Sequence, residues 1–236
     1  MKLRDLLEQL EQGEFRLYAL GGANQSGFEE HDYPKIIPHI NLALTELHKR
    51  FLMKSNTVPV QLYSQIARYH MHSDYARSNT ASTKTPKYIV DTEFDPFNEW
   101  FFLKTERVFS EQGEEYPLND DSETYSVYTP ADNIVQVPFA DDSNAISVEY
   151  RANHPKLVST GEYILDQTVD ISPTYLESLL LYISARYLST QGTPELVQEG
   201  NNALQKFELS IRNIQNLGLD VREHTTHTKL EERGWV

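Results

Sequence analysis

Residues 172–218 read SPTYLESLLLYISARYLSTQGTPELVQEGNNALQKFELSIRNIQNLG, and two openings in this stretch carry the same punctuation. Ser172-Pro173 sets a capping side chain just before a proline at the first helical position, and Thr193-Pro194 repeats the device. After the first, Leu176, Leu179, Leu180, Ile183 and Tyr187 recur at spacings of three and four. After the second, Leu196, Gly200, Ala203, Phe207, Ile211 and Ile214 do the same, and Gly218 stands where a helix end favours a residue free to take positive φ. The stretch predicts an αα-hairpin with an apolar stripe on each helix. Short amphipathic helices draw their stability from packing, so the stripes call for partners elsewhere in the chain.

The N-terminal end supplies them. Leu3, Leu6, Leu7 and Leu10 share one face of a short helix that Gly13 is placed to end, and Gly21 to Gly27 is a turn-rich break. Asp32 with Pro34 opens a longer helix whose stripe is Ile36, Ile40, Leu44, Leu47 and Phe51. From about Thr57 the period changes to alternation, with Val58, Val60 and Leu62 followed by strand candidates at 87–91, 100–109, 123–128, 133–139 and 145–151. Ser64 to Pro86 is polar and without period, which predicts a long exposed loop. The expected architecture is α+β: N-terminal helices over 1–56, a β-rich insertion shaped as an antiparallel sandwich or barrel over 57–168, a C-terminal helical hairpin over 169–218 that packs with the N-terminal helices, and an extended tail over 219–236.

Composition narrows the function classes. Of 236 residues, 21 are basic and 35 acidic, a net charge of -14 that opposes tight binding to a phosphate backbone. There is no cysteine, which excludes disulfides, thiolate metal sites and a cysteine nucleophile. No window reaches the ~18 consecutive apolar residues of a membrane helix, and the acidic residues of MKLRDLLEQLEQ interrupt any signal-peptide core. Synthesis in the cytoplasm and no membrane partner are expected.

Chemistry-bearing motifs are sparse. There is no G-x-S-x-G, no P-loop and no dinucleotide fingerprint, and Gly21-Gly22 with Gly27 reads as a turn. His70-x-His72 and His224-x-x-His227 lack the further ligands a metal site needs. Asp91-x-Glu93-x-Asp95 and Asn119-Asp120-Asp121 miss the glycine and terminal glutamate of a calcium loop and read as Asx turns. Trp100-Phe101-Phe102 has no basic groove beside it and predicts core packing or a subunit contact. No catalytic, cofactor-binding or metal-binding residue is expected.

An ordered set of short pieces carries a resemblance. Leu3-Arg-Asp-Leu-Leu, Ile40-Asn-Leu-Ala-Leu-Thr-Glu-Leu, Asp95-Pro-Phe, Leu103-Lys-Thr-Glu-Arg-Val-Phe, Tyr116-Pro-Leu-Asn-Asp, Ser126-Val-Tyr-Thr-Pro, Gln136-Val-Pro and Ile146-Ser-Val-Glu-Tyr-Arg-Ala-Asn-His-Pro follow one another along nearly the whole chain. Together they resemble the head-to-tail adaptor (neck or connector) proteins of tailed bacteriophages, the tail tubular A type of short-tailed phages included. The resemblance implies a non-enzymatic virion protein, a ring of twelve copies docked below the portal. Such a ring extends the DNA channel toward a tail or nozzle protein, and DNA passes through it without sequence-specific binding. Two contact sites are expected. The polar tail ends on Gly234-Trp235-Val236, and Leu230, Arg233, Trp235 and Val236 are expected to bind the portal, tryptophan being a frequent interface anchor. Arg68, Arg77 and Lys84 are expected to serve a ring or tail contact from a mobile loop. A virion-associated cell-wall hydrolase and a monomeric β-sandwich binding module are the alternatives from other classes.

Overall fold

The computed structural model describes residues 1–15, 28 and 30–220. The fold is α+β, mixed helix and antiparallel sheet, and it divides into two compact units. One combines the two ends of the chain, Met1–Leu52 with the residues from Lys156 onward; the other is continuous, Met53–Pro155.

In the first unit, helix α1 (Leu3–Gln12) buries Leu3, Leu6, Leu7 and Leu10, as the spacing predicts. Helix α2 (Tyr33–Arg50) starts at Asp32 with Pro34 in its first turn and buries Ile36, Ile37, Ile40, Ala43, Leu44 and Leu47. It continues through Pro38, one turn in, where few ladder bonds have yet formed. The Ser172 hydroxyl caps a short 3-10 turn, Pro173–Tyr175, so helix α3 (Leu176–Leu188) begins three residues later than the cap suggests. Helix α4 (Pro194–Asn216) is capped by the Thr193 hydroxyl and ends at Gly218, whose φ of 64° and amide bond to the Gln215 carbonyl close the last turn. Ring contacts mark the packing: Phe15 against Tyr187 at 5.2 Å, Phe51 against Tyr175 at 4.8 Å, and Tyr182 against Phe207 at 4.9 Å. Gly200 is the close approach between α3 and α4. A Cβ there would stand 2.5 Å from the Ser189 hydroxyl and 3.0 Å from the Ala185 carbonyl oxygen.

The same unit also holds residues 156–168, which the sequence assigns to the β-rich insertion. Two amides tie this irregular segment down. The Asn41 side chain donates to the Leu157 carbonyl and accepts from the Leu157 amide, both at 2.9 Å, and Gln167 does the same for Val158, both at 2.8 Å. The Leu3 amide donates to the Gln167 carbonyl and the Val169 amide to the Met1 carbonyl, so the segment pairs with the residues that open α1.

The continuous unit contains seven strands: β1 (Ser55–Gln61), β2 (Arg68–His70), β3 (Phe102–Ser110), β4 (Glu115–Tyr116), β5 (Tyr128–Ala131), β6 (Ile134–Gln136) and β7 (Ala145–Ala152). They form a four-stranded sheet in the order β1-β7-β3-β4 and a three-stranded sheet in the order β2-β6-β5, with every pairing antiparallel. Val58, Val60, Val108, Ile146 and Val148 from the first sheet share one apolar core with Tyr69 and Val135 from the second. Of Trp100-Phe101-Phe102, Phe102 is buried and stacks on Tyr150 at 4.6 Å, Phe101 is half-buried against the same core, and the half-buried Trp100 donates its indole N–H to the His154 carbonyl at 2.8 Å.

Three expectations need correction here. Residues 64–86 are not a featureless exposed loop, because they contain β2, a 3-10 turn at Ser73–Tyr75, and Tyr69, Met71 and Ala76 buried in the core. Residues 87–91 and 123–127 hold isolated bridges, at Ile89 and Val127, instead of strands. Polar partners explain both. Paired tyrosine hydroxyls and Asx carboxylates hold these backbones where a ladder would otherwise do so, and they leave no hydrophobic period to read.

Candidate functional site

The three cations predicted to form a contact all lie in the continuous unit. Strand alternation turns Tyr69 into the core and Arg68 outward. Arg77 follows a buried Ala76, and its backbone is fixed by its amide bond to the Ile89 carbonyl. Lys84 sits in a turn where its amide donates to the Ser82 hydroxyl. All three side chains are exposed, and no hydrogen bond or ion pair joins them to one another. They are therefore surface cations on a packed scaffold. Leu230, Arg233, Trp235 and Val236, with His224 and His227, lie outside the described residues.

The scaffold beneath Arg68 and Arg77 is built from phenols. The Tyr88 hydroxyl accepts from the His70 amide at 2.9 Å and donates to the His70 carbonyl at 3.0 Å, so one side chain satisfies both backbone groups. The Tyr69 hydroxyl accepts from the Tyr63 amide at 2.8 Å and donates to the Tyr63 carbonyl at 3.2 Å. Burial pushes both phenols above their ordinary range, so they remain donors at any physiological pH.

The acidic motifs hold backbone. Asp91 accepts from the Ser78 amide at 2.8 Å, from the Ser78 hydroxyl, and from the Phe97 amide at 2.8 Å. Burial opposes its ionisation, but these bonds outweigh it and hold the carboxyl below the usual range. Asp120 accepts from the Ser122 amide and hydroxyl, and Asn119, at φ 56°, holds Thr129. His72 is the N-cap of the turn at Ser73–Tyr75, its ring accepting from the Asp74 amide at 3.1 Å. Among the described residues no group of three His, Asp or Glu is placed to hold a metal ion. Cross-strand pairs occupy the face of the larger sheet: Arg151 with Glu106 at 2.6 Å and Arg107 with Glu149 at 2.8 Å.

One concavity of this unit was not anticipated. A cleft of about 680 Å³ is lined by β1 from Ser55 to Pro59 on one wall and by Val90, Asp91, Asp95 and Phe97 on the other. Its sequence signal is Pro59, since a proline within a strand marks an outward, unladdered position. In the helical unit a second cleft, about 590 Å³, runs beside α4 and is bordered by Leu209, Leu217 and Leu219, all more than half exposed. No helix of the described residues is long and apolar enough to cross a membrane. No protein-family model matches this chain, and no curated protein matches it.

Proposed function

We propose that this chain is a structural subunit of a virus particle, a head-to-tail adaptor that forms a ring of twelve copies below the portal, lengthens the DNA channel and receives the tail or nozzle protein. The observation that carries this reading is the ordered set of pieces from Leu3-Arg-Asp-Leu-Leu to Ile146-Ser-Val-Glu-Tyr-Arg-Ala-Asn-His-Pro. Support comes from the division of the chain into a helical unit built from both ends and a continuous β unit inserted between them. A net charge of -14 repeated around a channel repels DNA and lets it slide. Leu209, Leu217 and Leu219 on the helical unit are apolar surface of the kind subunit contacts cover.

The test is particle mass and shape. The purified chain, alone and with portal rings, is measured by light scattering and imaged by electron microscopy. Twelve-fold rings, free or on the portal, are the expected result; a monomer that ignores the portal ends the proposal. Portal binding is assigned to the tail, with Trp235 as its anchor. Truncation after Asp220 and Trp235→Ala should each abolish capture by portal rings. Undiminished capture of both variants removes the tail from the mechanism.

A further inference from the structure

Strand β1 is an edge strand, and only half of its outer edge is covered. In its pairing with β7 the even-numbered residues bond inward: the Ala152 amide donates to the Lys54 carbonyl at 2.8 Å and the Leu62 amide to the Asn144 carbonyl at 3.0 Å. The odd-numbered residues face away from β7. At the far end they are satisfied, the Gln61 amide donating to the Tyr88 carbonyl at 2.8 Å and the Pro59 carbonyl accepting from the Val90 amide at 2.9 Å. Beyond Val90 the chain leaves the edge, drawn off by the bonds that the Asp91 carboxylate makes to Ser78 and Phe97. Ser55 and Thr57 thus present two N–H and two C=O groups outward, exposed and without a hydrogen-bond partner among the described residues.

These four groups form one wall of the 680 Å³ cleft. The opposite wall carries Asp95, whose exposed carboxylate has no partner among the described residues, and Glu93, equally free, stands two residues away. Between them Phe94 is fully exposed, at 101%. Lys54 is the cleft's one cation. We propose that this open edge is a docking site for an extended, basic peptide segment of a partner protein. The segment adds as a strand to β1 at Ser55 and Thr57, in the line that the chain leaves beyond Val90. Main-chain bonds supply the pairing, a lysine or arginine of the guest meets Asp95 and Glu93, and an apolar side chain covers Phe94. A second copy of this chain is the poorer occupant, because each copy carries a net charge of -14. The edge belongs to the β unit alone and stands whether or not the chain forms rings.

The phase of β1 makes the test specific. Thr57→Pro removes one outward N–H and places a ring against any incoming strand, yet costs no bond to β7, since Pro59 already occupies the same phase two residues on. The probe is a fluorescein-labelled ten-residue peptide alternating valine and lysine, with the valine–glutamate peptide and a backbone N-methylated valine–lysine peptide as controls. Anisotropy is read with the full chain. Expected are saturable binding of the valine–lysine peptide, at least tenfold weaker binding to Thr57→Pro and to Asp95→Lys, and none of either control. Equal binding by the native chain and folded Thr57→Pro, or by the N-methylated peptide, reduces the effect to bulk charge and overturns the proposal. So does an absence of binding at millimolar peptide. If Thr57→Pro fails to fold, the N-methylated peptide on the native chain still decides. Self-association of the native chain that Thr57→Pro abolishes would assign the edge to a second copy instead.

Discussion

The helical unit and the β unit solve the same problem with different materials. In the helical unit, apolar residues recur every three or four positions, and Leu3, Leu6, Leu10, Ile36, Ile40, Leu47, Leu179, Ile183 and Phe207 are all essentially inaccessible. Within its helices backbone bonding is local, so the core they share need only be dry, and long-range backbone bonds are confined to the irregular segment that Asn41 and Leu3 hold. In the β unit four of the seven strands are four residues or shorter, and side chains replace the ladder at several of the places where it stops. Tyr69, Tyr88, Asp91 and Asn119 each satisfy backbone groups from the chain's far side of a turn. The difference teaches that volume governs the first unit and hydrogen-bond accounting the second.

Cutting volume from the helical unit should have the largest effect. Phe207 is fully buried against Tyr182, with the Arg50 guanidinium 5.0 Å above its ring. Phe207→Ala should cost about 3–5 kcal/mol in equilibrium urea unfolding. A loss below about 1 kcal/mol would mean the site collapses freely, and the contrast between the units would fail.

The matching change in the β unit removes one oxygen and no volume. Tyr88→Phe leaves the His70 amide and carbonyl without their partner, at about 1–3 kcal/mol. Thermal unfolding of the single variant checks this. If Tyr88→Phe is neutral, water reaches His70 and the phenol is dispensable. Adding volume sharpens the helical side: Gly200→Ala should destabilise by about 1–3 kcal/mol, because the methyl meets Ser189 and the Ala185 carbonyl. A stabilised Gly200→Ala would show that helix propensity outweighs the contact.

Acid should act on the β unit through Asp91. Its carboxyl is held below the unfolded value, so its contribution is complete above about pH 4 and is lost as pH falls through the lower folded value. Stability of the native chain should drop below pH 4 more steeply than that of Asp91→Asn, whose amide does not titrate. Parallel curves for the two would take Asp91 out of the acid response. The smallest effect is expected at the helical surface. The fork of Arg50 on Glu208, two bonds at 2.8 Å, is solvated, and Glu208→Gln should cost about 0.2–1 kcal/mol, less in high salt.

The four helices, the caps at Thr193 and Gly218 and most of the buried stripes were readable from residue order, because helix period, caps and terminal glycine act within a few positions of one another; Leu176, Leu180 and Leu196 are only partly buried, and Leu181 is buried beside Leu179 instead. The β character of the middle was readable too, from the alternation at 58–62 and 145–151, and so was the interior place of Phe102. The placement of 156–168 with the helices was not, since it depends on Asn41 and Gln167 reaching backbone across 116 and 9 positions. Nor was the packing of 64–86, where Tyr88 bonds to a residue 18 positions away. The cleft was hidden for the same reason. Pro59 hints at an outward edge, but only the tertiary structure reveals that Val90 covers Pro59 while Ser55 and Thr57 stay open. Local sequence sets which backbone groups point outward; long-range bonds, here those of Asp91, decide which of them are left for another chain.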